Sequence, residues 1–195
     1  MKILFAIFSY LLGSFPTGYI LYFFSEKKDI RGFGSQSIGA TNVLRLKGWT
    51  FAIPVIVVDV MKGFLPVFLA LKLFPDKRFA FFCGFLAVLG HCFPIYIKLK
   101  GGKGVATAVG VYSVLALKPL LIGIGVFLVV IALTRYVSLG SILAMSSLPF
   151  SIHLIQGNSE IAILSIVIFL LMVIRHAGNI RRLMKGNERK LGEKE

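Results

Sequence analysis

Between Ile3 and Phe24 the chain carries no charged residue. About 20 apolar residues suffice to cross the hydrocarbon core of a bilayer as a helix, so this stretch fits a membrane span better than a soluble core element. A cleaved leader would have a shorter apolar stretch and a small-residue cleavage site. Ser9, Tyr10, Gly13 and Pro16 supply no such site, so the segment is expected to remain as a first helix. Six more apolar blocks follow: Trp49 to Phe74, Phe79 to Ile97, Val105 to Leu117, Pro119 to Thr134, Val137 to Gln156, and Ile161 to Ile174. The whole chain is 57% hydrophobic and 15% charged, against about 25% charged in soluble domains. An all-α, polytopic membrane protein of a single domain over residues 1–195 is therefore expected.

The fourth and fifth blocks are short, and only Lys118 and Pro119 stand between them. They are either two spans or one kinked helix. Cytoplasmic loops accumulate Lys and Arg, which decides the matter. With seven spans and the N-terminus outside, Lys2, Lys72, Lys77, Arg78 and Lys118 lie outside and Lys62 within a span. The other 16 cations, from Lys27 to Lys194, then lie inside. Merging the two blocks would leave only 8 inside and 12 outside. Seven transmembrane helices with a cytoplasmic C-terminus are expected.

The net charge is +14. In a soluble protein such a balance suggests nucleic acid. Here the cations sit between membrane-length blocks, so phospholipid head groups or phosphorylated metabolites are the expected partners, and nucleic acid is not. Cys83 and Cys92 lie inside one apolar block and read as small buried hydrophobes. No His-Cys-Asp-Glu cluster suggests a metal. His153 reads as packing.

The inner connections are long and rich in Gly, Ser, Asn, Lys and Arg, the composition that carries function in loops. The first runs from Asp29 to Arg45. Ser35 or Ser37 suits an N-cap, which predicts a short interfacial helix from Ile38 to Lys47. Gly32, Gly34 and Gly39 free the backbone to turn N–H groups toward an anion, and Arg45 can grip phosphate with two prongs. The same pattern also suits an ordinary capped surface helix.

The second loop reads Lys98-Leu-Lys-Gly-Gly-Lys-Gly-Val-Ala-Thr107. Free N–H groups, a helix dipole and Lys103 meet at the start of the next helix, the ingredients of a phosphate cradle. It is not a Walker A loop, because Ile97 and Gly104 stand where Gly and Ser or Thr belong. The other reading is a flexible basic turn on the inner side.

The third inner segment is the C-terminal exit, from Arg175 to Glu188. His176 and Asn179 share a helical face, where His can transfer a proton and Asn can orient a hydroxyl. A basic membrane-proximal tail is the plainer alternative. Within span two, Asp59 and Lys62 are expected to pair, as a strut or as part of a site, since unpaired charges at that depth are costly. Ser138, Gly140 and Ser141 either line a cavity or permit close helix packing.

These segments, in this order, resemble the bacterial acyl-phosphate-dependent glycerol-3-phosphate acyltransferases over essentially the whole chain. The resemblance rests on GSFPTGYI, DIRGFGSQSIGATNVLR, GHCFPIYIKLKGGKGVAT, RYVSLGSI and RHAGNIRRLMKGNE. It implies transfer of a fatty acyl group from acyl phosphate to the sn-1 hydroxyl of glycerol 3-phosphate, releasing phosphate and 1-acylglycerol 3-phosphate. It implies a bacterial inner-membrane location with the reaction on the cytoplasmic side. On this reading Ser35, Arg45, His176 and Asn179 are the catalytic candidates. Ser37, Gly39, Asn42, Gly101, Gly102, Lys103, Gly104 and Ser141 are expected on substrate phosphate, with Asp59, Lys62 and Glu188 structural. Membrane lipids are partners, no cofactor or metal is expected, and neither coenzyme A nor acyl carrier protein is the direct donor. The other large class of glycerol-phosphate acyltransferases needs Asp five residues after His. Here those positions hold Tyr96, Asn158 and Arg181. A transporter or channel for a phosphorylated solute is the competing reading, but no inverted repeat or pair of broken helices supports it.

Overall fold

A computed structural model describes residues 1–193, all helix and connecting loops with no strand among them. Lys194, one of the cations expected inside, lies outside the described residues. Met1–Val111 form one compact unit and Tyr112–Glu193 a second.

The first apolar block is not one helix but two, α1 (Lys2–Gly13) and α2 (Thr17–Glu26). Pro16 ends the hydrogen-bond ladder because it has no N–H to give. The Ser14 N–H closes α1 on the Tyr10 carbonyl at 2.9 Å. After the first inner loop come α3 (Ala40–Lys47), α4 (Trp49–Leu73) and α5 (Lys77–Cys92). α1 packs on α5, and α4 packs on α2, α3 and α5. Glycines set the closeness: a Cβ on Gly13 would strike the Ala87 backbone, and one on Gly90 the Tyr10 carbonyl. Small residues are how helices approach in a membrane, where water supplies no driving force between them. α6 (Val105–Leu115) divides between the two units, and its Gly110 lies against the Val60 carbonyl of α4.

The second unit holds α7 (Leu117–Thr134), α8 (Val137–Gln156), α9 (Ser159–Arg175) and α10 (Ala177–Met184). α7 packs on α8, α8 on α9, and α10 against both α8 and α9. The break before α7 falls at Ala116, not at Lys118-Pro119 as expected. Pro119 instead sits in the first turn of α7, where a missing N–H costs little.

Among the described residues five helical segments are long and apolar enough to cross a membrane, or six if the bent pair α9–α10 counts as one. α6 is apolar too, yet its 11 residues reach only about 17 Å of a roughly 30 Å core. Each of the seven expected apolar blocks is thus helical, with α6 and α9 too short to count alone as crossings. Outward-facing Leu121, Leu128, Leu133, Phe150, Leu154 and Ile174 are exposed, the kind of surface that a bilayer covers.

Candidate active site

In the first unit both inner loops rest on one apolar platform. Ile30, Ile38 and Val43 from the first loop and α3 are buried together with Tyr22, Val55 and Ile97, the last belonging to the turn that opens the second loop. Asp29 starts the first loop by accepting the Arg31 N–H at 2.9 Å, capping a single 3-10 turn over Ile30–Gly32. The Arg31 guanidinium then grips Asp29 through Nη2 at 2.6 Å and lies over the Tyr19 ring. Its Nη1 donates to the Ile97 carbonyl at 2.8 Å, tying the first loop to the second. Hydrogen bonds from Arg31 hold the Asp29 carboxyl below the usual carboxylate range, against an opposing effect of partial burial. In the sequence Arg31 reads only as one inner cation; an Asp two residues before an Arg was the available signal.

Neither Ser35 nor Ser37 caps α3. The helix begins two residues later than expected, with Gly39 in the N-cap position. The Ser37 hydroxyl oxygen accepts the Gly39 N–H at 3.2 Å, a local turn that competes with capping. Asn42 is 1% exposed, and its amide shapes the loop. Oδ1 accepts the Ser35 N–H at 2.8 Å, while Nδ2 donates to the carbonyls of Ser37 (2.8 Å) and Phe33 (3.2 Å). Both amide hydrogens and Oδ1 of Asn42 thus shape the loop around Ser35. Arg45 is half-buried one turn along α3.

The second loop leaves α5 through a 3-10 turn, Ile95–Ile97, then two left-handed residues, Lys98 and Leu99. The backbone folds back so that the Gly102 N–H donates to the His91 carbonyl at 3.0 Å. That bond ties the glycine loop to the end of α5. The glycines are needed for proximity: a Cβ on Gly101 would meet the backbone of His91 and Cys92, one on Gly102 the His91 ring, and one on Gly104 the Val88 side chain. Gly104, at φ +83°, opens α6, accepting the Ala108 N–H at 2.8 Å. The first N–H groups of α6 and the half-buried Lys103 are thus at one helix start, where a dipole favours anions.

Behind this loop lies the expected Asp59–Lys62 pair, at 2.7 Å with both side chains 3% exposed. The ammonium also donates to the Phe15 carbonyl at 2.8 Å and meets His91 Nδ1 at 3.1 Å. Thr17 donates to Asp59 Oδ1 at 3.2 Å. His91 had no role legible in the sequence.

In the second unit α9 and α10 meet at a 61° bend centred on His176. His176 is 2% exposed, with Nδ1 2.8 Å from the Met172 carbonyl. Three residues on, Asn179 Nδ2 donates to Glu188 Oε1 at 2.6 Å. The Ser138 hydroxyl gives the same oxygen a bond of 2.8 Å, and Arg182 Nε reaches Oε2 at 2.8 Å. Burial pushes the Glu188 carboxyl up, but the bonds from Asn179, Ser138 and Arg182 outweigh it and leave the group below its ordinary range. Ser141 donates its proton to the Val137 carbonyl of its own helix at 2.8 Å. His153 is exposed and lies 3.1 Å from the Ser159 hydroxyl, a helix-end contact and not packing. No group of three metal-ligating side chains occurs among the described residues.

An all-helical, apolar-surfaced membrane protein with basic glycine loops is the class that these features define. Residues 3–186 match the family model for glycerol-3-phosphate acyltransferase. A glycerol-3-phosphate acyltransferase of Endomicrobium trichonymphae is 42% identical over 98% of this chain and 96% of its own length. One from Syntrophotalea carbinolica is 40% identical over 92% of each. A crystal structure of PlsY (YgiH), an integral membrane glycerol 3-phosphate acyltransferase in its glycerol 3-phosphate form, superposes with a TM-score of 0.93 at 38% identity, covering 98% of this chain and 96% of that one. Its lysophosphatidic acid form gives a TM-score of 0.87 at 36% identity over 98% and 95%. The chain belongs to the glycerol-3-phosphate acyltransferase family.

Proposed function

We propose that this protein transfers a fatty acyl group from acyl phosphate to the sn-1 hydroxyl of glycerol 3-phosphate, the first step of phospholipid biosynthesis. The observation that carries the reading is the pairing of two phosphate-suited loops, around Ser35–Arg45 and Gly101–Gly104, on one apolar platform. Acyl phosphate arrives activated, so no nucleophilic side chain is required. The hydroxyl oxygen attacks the acyl carbonyl carbon, the carbon–oxygen bond to phosphate breaks, and inorganic phosphate leaves. What the protein supplies is position and positive charge for two anionic substrates. Lys103 and the opening N–H groups of α6 hold one phosphate, and Arg45 offers a forked contact to phosphate oxygens. Ser35 is held for substrate contact by Asn42. Ser37 and Ser141 offer phosphate oxygens their rotatable hydroxyl protons, and Gly39, Gly101, Gly102 and Gly104 contribute through the loop backbone.

His176 and Asn179 are the remaining catalytic candidates. Because a carbonyl only accepts, His176 Nδ1 carries a proton toward Met172, which makes Nε2 the nitrogen that takes up a proton. The hydroxyl proton goes by preference to the departing phosphate, whose second pKa of about 6 suits the task, with His176 positioning substrate. Seven crossings with the N-terminus outside place the basic loops in the cytoplasm of a bacterium, facing a soluble co-substrate, while the acyl chain stays in the bilayer. Mixing the purified protein in detergent with acyl phosphate and glycerol 3-phosphate should release phosphate, whereas acyl-coenzyme A or acyl carrier protein donors should give no product. Comparable rates with acyl-coenzyme A would refute the donor assignment.

A further inference from the structure

The buried group Asp59–Lys62–His91 lies outside the loops that face substrate, and a lone ion pair would need only two of its members. Lys62 has three N–H bonds to give. It directs them to Asp59 Oδ1 at 2.7 Å, the Phe15 carbonyl at 2.8 Å and His91 Nδ1 at 3.1 Å. Each partner comes from a different feature. Asp59 stands one turn back on α4, Phe15 offers a carbonyl in the Pro16 break of the first span, and His91 ends α5. Thr17 holds Asp59 from the other side at 3.2 Å. All the side chains in the group are buried, so the geometry is fixed by mutual satisfaction in a medium where an unmade bond is costly.

This arrangement sets the state of His91. An ammonium only donates, so Nδ1 must accept, and the ring is neutral with its proton on Nε2. Nε2 is the atom on which a Cβ at Gly102 would fall, and the same residue's backbone carbonyl takes the Gly102 N–H at 3.0 Å. Both faces of His91, ring and backbone, therefore abut the glycine loop. The imidazole is the surface against which Gly101–Gly104 is formed.

We propose that Asp59, Lys62 and His91 are positioning residues for the phosphate cradle. Lys62 and Asp59 fix the tilt and tautomer of His91, and His91 fixes the register of Gly101–Gly104 and hence the direction of the α6 N-terminal donors and Lys103. The inference deepens the reading of that loop as a phosphate site and rests on it. Neither His91 nor Lys62 touches substrate; their effect is on the affinity for a phosphate group, borne by glycerol 3-phosphate or by acyl phosphate.

Initial rates of the full-length protein in detergent, with each substrate varied in turn, test the proposal. His91→Phe keeps a ring without polar atoms and should raise KM for one of the two phosphates about 10- to 100-fold with kcat changed less than about threefold, as for loss of a supporting contact behind a binding group. His91→Gln, which restores an acceptor and a donor on one planar group, should recover most of the affinity. Lys103→Ala is the arm that tests the cradle itself. A normal KM in His91→Phe beside a raised KM in Lys103→Ala overturns the positioning role and leaves the cradle standing. Normal KM values in both overturn the cradle, and the positioning role with it. A measurement on the unaltered sequence removes dependence on the variants' folding: nitrogen NMR of histidine-labelled protein, assigned with His153→Gln and His176→Gln. His91 should appear neutral with the proton on Nε2. A proton on Nδ1, or an imidazolium, overturns the proposal.

Discussion

Replacing Gly102 with alanine should disable substrate binding without unfolding the protein. The added Cβ would lie 2.9 and 3.0 Å from two carbons of the His91 ring and closer still to Nε2, whereas ordinary contact begins at 3.4 Å. His91 cannot turn aside cheaply, because Lys62 holds Nδ1 at 3.1 Å and is itself held by Asp59 and the Phe15 carbonyl. The loop must therefore back away by about 1 Å, a displacement that can cost about 100-fold in rate when it moves a substrate-positioning group. At about 1.4 kcal/mol per tenfold that is close to 3 kcal/mol. Phosphate release, followed as glycerol 3-phosphate and acyl phosphate are varied, reads the loss as a fall in kcat/KM. Gly125→Ala is the matched control: nothing lies within 4 Å of its added Cβ, and it sits on an exposed face of α7. It should leave kcat/KM within about twofold, since alanine suits a helix better than glycine. A Gly102→Ala protein with wild-type kinetics would refute the view that the loop is wedged against a fixed imidazole.

Glu188→Ala strands two buried donors, Asn179 and Ser138, and releases a half-exposed Arg182. Discounting Arg182 for solvent, the loss should be about 3–5 kcal/mol, read as a lower unfolding midpoint in detergent. Because the folded Glu188 carboxyl titrates below its ordinary value of 4.5, its contribution is complete above that pH and lost as pH falls through the folded value. Glu188→Gln should therefore flatten the acid side of the stability profile, and an unchanged acid limb would contradict the assignment. His176→Gln should retain much of kcat if a substrate phosphate takes the proton; a thousandfold fall in kcat of His176→Ala at unchanged KM would instead make His176 the general base, within the roughly 10²–10⁴-fold range of such groups. Reporter fusions after Lys118 and Lys190 should report outside and inside, respectively; an outside signal at Lys190 would end the seven-span reading.

What could be read from the sequence depended on how local the physics was. Helix at each apolar block, a helix opening after the glycine loop and the Asp59–Lys62 pair are set by spacing within a few residues and took the expected form, whereas the Pro16 break and the Ala116 boundary did not. The Ser N-cap did not, because Asn42, reaching back to Ser35 from inside α3, outcompetes a hydroxyl cap for the loop backbone. The bend at His176 has no proline to announce it. Lys62 meets partners 47 residues before it and 29 after it, distances at which a single sequence carries no pairing signal. Asn42 and Gly102 sit in motifs that read as anion loops, and in the structure the Asn42 amide and the Gly102 N–H shape those loops. A motif marks where such residues are needed, while their hydrogen bonds decide what they do.

The central claim is a transfer of acyl from one phosphate to the hydroxyl of another. Phosphorus NMR of the purified protein with both substrates observes all four species at once. The acyl phosphate and glycerol 3-phosphate signals should fall together, while inorganic phosphate and 1-acylglycerol 3-phosphate rise one for one. Inorganic phosphate appearing with glycerol 3-phosphate untouched, or no change in either substrate, would contradict the account.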